Sequence, residues 1–174
     1  MALAVCLVFD PVTDRAFRQL WARLESAGIR TLATHTHARH VPHLSYAVLR
    51  TFEVEAVAAA VAALPSAEPI ALRFDSVGLF RRGRAALVPA ASADLQLRQC
   101  AVVGACEATG ADLHRHYRPG AWIPHSSLAT RVRRDDLGTM AAAAFDILPL
   151  AATAEHCVLI DSSTGQRWPL PHLV

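Results

Sequence analysis

The chain contains no lysine: all 17 basic residues are arginine, set against 15 acidic ones, for a formal net charge of only +2. That balance excludes the broad basic surface with which proteins grip long duplex nucleic acid by its phosphates, so any polyanion it binds is short. Without lysine there is also no amine to carry a nucleotidyl group, and any end-joining would have to be the reversal of phosphodiester cleavage. Arginine favours forked phosphate contacts, although a general bias toward Ala, Arg and Val accounts for the total more simply.

Cys6, Cys100, Cys106 and Cys157 form no CxxC pair, and their scatter excludes a disulfide-stapled scaffold. They read as small buried apolar residues. Long hydrophobic runs are missing too. The opening "MALAVCLVFD" breaks at Asp10 and Pro11, too soon for a secretory signal core or a membrane span. The expectation is a soluble cytoplasmic protein with no membrane partner.

What is present is a chain of 174 residues, 53% hydrophobic and 18% charged, which suits a buried globular fold and not extended disorder. No low-complexity linker divides it. The expectation is one domain over 1–174, built as two lobes on a shared core and acting as a monomer.

Apolar residues at 2–9 predict a buried strand closed by Asp-Pro, and Phe17, Leu20, Trp21 and Leu24 predict a helix ending near Gly28. Strand character at 43–49 and helix at 54–64 follow. The segments 70–80 and 85–88 predict a hairpin through "RRGR". The second half repeats the order, with helix at 95–109, strand at 123–132, helix at 137–145, apolar strand at 148–160, and a short last strand near Trp168.

Within this pattern one phrase occurs twice, "VPHLSYA" at 41–47 and "IPHSSLA" at 123–129. A lone His-x-Ser/Thr means little, since nine histidines at average hydroxyl usage give about one match by chance. The shared context means more: an apolar residue and Pro before each His, Ala four positions after it, strand-like flanks, and separation by about half the chain. The plain alternative is two satisfied histidines at strand starts.

On a strand, residues i and i+2 face the same way, about 6.5 to 7 Å apart. His43 would therefore share a face with Ser45, and His125 with Ser127. Two such strands about a twofold would converge two imidazoles and two hydroxyls on one cleft, a site for a tetrahedral oxyanion. Displacement at phosphorus needs a base on the attacking water and an acid on the leaving oxygen, and imidazole serves either role near neutral pH. The hydroxyls would donate to the non-bridging oxygens. The scheme calls for no metal and no cofactor.

These residues resemble the 2H phosphoesterases, a family that includes the bacterial 2',5' RNA ligase-like proteins and cyclic nucleotide phosphodiesterases. "HLSY" and "HSSL" are similar to its paired H-x-[ST]-x motifs, and the likeness extends to the order of elements and the hairpin "DSVGLFRRGRAALVP". The resemblance implies an α+β bilobal fold: two lobes related by a pseudo-twofold, each with an antiparallel sheet and helices, and a central cleft. It implies metal-independent opening of 2',3'-cyclic phosphates, or cleavage of related 2'-linked phosphodiesters, on RNA ends or small nucleotides. By it, His43, Ser45, His125 and Ser127 are the catalytic positions. The resemblance does not say which histidine is the acid and which the base; the expectation is that His125 activates water and His43 protonates the leaving ribose oxygen. Many relatives follow the second motif with "LAR", whereas Thr130 here separates Ala129 from Arg131.

The substrate-binding candidates are Arg131, which shares the His125 face if the strand is unbroken, Arg84 of the hairpin turn, and Tyr46 and Trp122 as faces for base stacking. Phe80 and Tyr117 are further aromatic candidates, and core packing is the commoner role for all four aromatics. Two alternatives stand beside the two-histidine reading. His35, His37, His40 and His43 crowd into "HTHARHVPH", with His-x-His repeated at His114 and His116, a pattern compatible with zinc. No carboxylate lies within that cluster, and zinc leaves the second "PHSS" without a purpose. A non-catalytic nucleotide or RNA-end binding module is the other, though binding alone does not require an acid and a base together.

Overall fold

The computed structural model describes residues 2–90 and 92–174. The first strand, β1 (Leu3–Phe9), runs into helix α1 (Pro11–Ser26), and the local chemistry dictates the junction. Asp10 accepts hydrogen bonds from the backbone N–H groups of Val12 and Thr13 at 2.8 and 2.9 Å, and Pro11 occupies a first-turn position that needs no N–H. Strand β2 (His43–Leu49), helix α2 (Val54–Ala62), strands β3 (Ile70–Phe80) and β4 (Arg84–Pro89), and helix α3 (Ala93–Ala108) follow. The chain closes with β5 (Ser126–Ala129), α4 (Leu137–Phe145), β6 (Leu150–Asp161) and β7 (Arg167–Pro169).

The architecture is α+β, with one antiparallel sheet in the order β2-β1-β6-β3-β4-β5 and β7 alongside β6. The resemblance implied an antiparallel sheet in each lobe, and in the structure the strands of the two lobes are continuous in one sheet. The reason is the length of β6: its first half pairs with β3 (Phe74 opposite Leu150) and its second half with β1 (Leu3 opposite Asp161). Although β2 and β5 stand at opposite ends of the strand order, the sheet curls until they lie against one another.

One face of the sheet carries most of the core. Leu3, Val5, Leu7 and Phe9 alternate inward and meet Phe17, Leu20 and Leu24 of α1. The rings of Phe9, Phe17 and Phe74 pack with centroids 5.4 to 5.8 Å apart. The other face carries a small cluster, Ala4, Cys6, Val158 and Ile160, against which Val8, Val41 and Val48 pack. That second face holds the candidate site. Cys6, Cys106 and Cys157 are buried as expected, but Cys100 is exposed because it falls on the outer side of α3. No helix among the described residues is long and apolar enough to cross a membrane.

The predicted strand over 123–132 shortens to four residues. Pro124 has no N–H to donate, and beyond Thr130 the Val132 N–H turns away to the Gly83 carbonyl at 2.7 Å. Gly83 sits at φ +72°, where a Cβ would come within 2.6 Å of the Val132 carbonyl oxygen, so this docking of the β3–β4 turn requires glycine. The outer edges of the two motif strands are covered reciprocally. After α1, Thr31 bridges Ala129 and Leu32 N–H donates to Leu128 at 3.2 Å, before the chain proceeds to β2. After α3, Leu113 bridges Leu49 and His114 N–H donates to Val48 at 2.8 Å, before the chain proceeds to β5.

Candidate active site

Alternation along β2 sends Leu44 and Tyr46 into the main core and leaves His43 and Ser45 partly open on the opposite face. In the second motif Ser126 and Leu128 are fully buried, and His125 and Ser127 are partly open. The structure thus assigns different environments to the two serines of "HSSL": Ser126 Oγ is buried without a hydrogen-bond partner among the described residues, and Ser127 shares the parity of His125.

Each histidine is held the same way. His43 Nδ1 lies 2.7 Å from the Val41 carbonyl, and His125 Nδ1 lies 2.7 Å from the Ile123 carbonyl. A carbonyl only accepts, so Nδ1 carries the proton in both rings and Nε2 is left as the exchanging nitrogen. The accepting residue stands two positions before each His with proline between. This gives the repeated apolar-Pro-His a physical meaning: the proline fixes the backbone that turns the carbonyl onto the ring.

Burial pushes the pKa of both histidines below the ordinary value, against the pull of these carbonyls. The neighbouring His125 adds to the depression at His43, and the Arg84 cation adds to it at His125. Arg84 also opposes protonation of His35 and His114, behind the larger effect of burial at each. The Phe80 ring packs on His125 with centroids 5.0 Å apart. Phe80 reaches this place over Gly78, where a Cβ would meet the Val88 side chain at 2.8 Å and the Phe80 ring at 3.0 Å.

Ser45 is set by its neighbours. Cys6 lies opposite it across the β1–β2 pairing, with Sγ 3.4 Å from Ser45 Oγ. Burial drives the Cys6 thiol up to about 12, so it remains a thiol and can donate. The Tyr117 phenol is pushed up to about 12, first by burial and then by Cys6, while the Ser45 hydroxyl and Arg84 act in the opposite direction. Sequence reasoning did not assign Tyr117 or Cys6 to the serine, and only the strand register and the fold of the 112–122 segment bring them there.

Two expected stacking residues are corrected. Tyr46 has no exposure, because three steps from His43 on a strand is the opposite face; its hydroxyl points toward the Val174 carbonyl at 3.5 Å. Trp122 is 7% exposed, its ring packed beside Tyr46 and its indole N–H donating to the Ser45 carbonyl at 3.1 Å. Neither offers a face to a base. Arg131 is exposed but lies beyond the end of β5, so the shared strand face expected for it does not exist.

The histidine-rich stretch packs as rings and not as a ligand set. His37 and His40 stand 4.2 Å apart and His35 and His40 5.8 Å apart by centroid, with the His40 Nε2 against Thr36 Oγ1 at 3.0 Å and the His37 Nδ1 accepting from the Arg39 N–H. Burial and the adjacent histidines lower the His40 pKa to about 4. Among the described residues no three His, Cys, Asp or Glu side chains group to hold a metal ion.

Comparison with solved structures places this fold among known ones. The apo form of E. coli LigT superposes with a TM-score of 0.65 at 13% identity, covering 97% of this chain and 94% of that one. A structure described as a phosphoesterase gives 0.61 at 18% identity over 97% of each chain. Kluyveromyces marxianus Usb1 gives 0.54 at 14% identity over 98% and 97%. At such identities the likeness is one of fold. A search of curated proteins returned no significant match. The sequence model of the 2'-5' RNA ligase superfamily, however, matches residues 13–166, a span that contains both histidine motifs and all but the first strand and the chain end. By that match, the chain belongs to the 2'-5' RNA ligase superfamily of 2H phosphoesterases.

Proposed function

We propose that residues 1–174 act as one bilobal unit that hydrolyses 2',3'-cyclic phosphates, or related 2'-linked phosphodiesters, on RNA ends or small nucleotides. The observation that carries this reading is the matched pair of Nδ1–carbonyl hydrogen bonds, at 2.7 Å in each motif, which leaves two Nε2 atoms to exchange protons. Superfamily membership supports the phosphoesterase class. Nucleotides suit the related fold: E. coli LigT has been solved with 3'-AMP, ATP and NADP+.

In this mechanism His125, whose neutral form Arg84 favours, takes a proton from water at Nε2 as the water oxygen bonds to phosphorus. The bond from phosphorus to one ribose oxygen breaks, and His43 Nε2 gives that oxygen its proton. The incoming phosphate monoanion favours one protonated imidazole in the pair. Ser45 and Ser127 donate to the non-bridging oxygens, where charge accumulates. Arg84 faces the substrate phosphate or the flanking nucleotide. With a ribose hydroxyl of a second RNA end in place of water, the same two proton transfers would join the ends, the new P–O bond forming as the ring P–O bond breaks, without a covalent enzyme intermediate.

The test is a screen of 2',3'-cyclic nucleotides, ADP-ribose cyclic phosphate and 2',5'-linked oligonucleotides, each in molar excess over enzyme and in excess EDTA. Multiple turnover undiminished by chelator is expected for at least one of them. Loss restored by added zinc would favour the histidine-cluster hydrolase, and stoichiometric binding without turnover would favour a binding module.

A further inference from the structure

Both motif serines have their backbone carbonyl held by a buried indole. Trp122 Nε1 donates to the Ser45 carbonyl at 3.1 Å, and Trp21 Nε1 donates to the Ser127 carbonyl at 3.3 Å. The rings are 7% and 1% exposed, so each bond is shielded from competing water. Neither indole belongs to the motif it holds. Trp122 directly precedes Ile123, whose carbonyl anchors His125, yet its N–H is on the first motif. Trp21 lies on α1, whose following segment docks Thr31 and Leu32 on β5 and then leads to the first motif, yet its N–H is on the second.

The consequence is a crossed linkage. From Ser45 the path to the His125 anchor runs through the indole hydrogen bond, the Trp122 side chain and the peptide unit to Ile123, and it adds to the direct packing of β2 on β5 a link that does not pass through the four strands between them in the sheet. We propose that Trp122 is a positioning residue that fixes the separation of the two imidazoles by tying the Ser45 carbonyl to the His125 anchor, and that Trp21 is its pseudo-symmetric counterpart. This rests on the two-histidine reading of the site. An acid and a base acting on opposite sides of one phosphorus must keep their spacing, and a displacement of about 1 Å in such a pair can cost on the order of 10²-fold in rate.

Trp122→Phe keeps an aromatic ring and deletes the donor. At a temperature well below the unfolding midpoint, kcat for the cyclic nucleotide is expected to fall about 10- to 100-fold with KM within about 3-fold. Trp21→Phe is expected to follow the same split, and it serves if the Trp122 variant does not fold. NMR titration of the His43 and His125 rings gives a readout independent of turnover. The titration midpoints of both histidines move toward the ordinary imidazole value in the indole variants, because loosening the linkage admits water to the site. A folded variant with kcat within about 2-fold of wild type and unmoved midpoints overturns the inference, as does a loss of kcat that only tracks the unfolded fraction. Absence of turnover in the wild-type protein would instead count against the proposed reaction, and the titration would still decide on the linkage.

Discussion

Alanine at either His43 or His125 is expected to lower kcat on a 2',3'-cyclic nucleotide by about 10² to 10⁴-fold, while the thermal unfolding midpoint changes little. The effect is large because each ring supplies half of one proton circuit: without the base the water oxygen attacks bearing its proton, and without the acid the ribose oxygen departs as an alkoxide. The fold survives because both rings lie partly open and their bond is to a local carbonyl two residues back. The double variant is expected to be scarcely worse than the slower single variant, since the two groups act as a unit. Steady-state kinetics with far-UV circular dichroism on the three variants checks both points. A double variant with full activity would remove the histidines from the mechanism.

Ser45→Ala and Ser127→Ala are expected to lower kcat by about 10² to 10³-fold each, with smaller effects on KM, because donors aimed at developing charge bind the transition state more than the ground state. The two positions differ in support. Ser45 Oγ sits 3.4 Å from the Cys6 thiol, and with that thiol donating, the Ser45 proton is left to point into the cleft. Cys6→Ala is therefore expected to reproduce a fraction of the Ser45 loss. Threonine at either serine keeps the donor and is expected to keep most of the rate. An alanine variant that raises KM alone would show that the hydroxyl binds substrate and transition state equally.

Much of the fold was legible in the sequence, and the failures have physical causes. The strands at 43–49 and 70–80 and the helix at 137–145 have the bounds their patterns predict, because alternation and apolar runs are local signals. The repeated Pro-His-x-Ser was legible as a pair because its context is repeated too. Period-2 alternation already places Tyr46 off the His43 face, so its candidacy for stacking conflicted with the same rule that joined His43 to Ser45. Trp122 was different: its burial depends on Tyr46, Ser45 and the return of the 112–122 segment, contacts from about half a chain away. Cys6 and Ser45 meet only through the β1–β2 register, and the end of β5 is set by Gly83 in another hairpin. Tertiary pairings of this kind are not written in any one segment.

The most direct measurement of the central claim is kcat/KM against pH for a 2',3'-cyclic nucleotide in excess EDTA, since that ratio reports the ionisations of the free enzyme. Burial holds both His43 and His125 below the ordinary imidazole value, and the reactive form is the singly protonated pair, which titrates as a coupled unit. Two such imidazoles give a bell with both limbs on the acid side of about pH 6.5. A profile that is flat from about pH 5 to 8, or that rises through a single limb to a plateau, would contradict a mechanism in which one imidazole takes the proton and the other gives one.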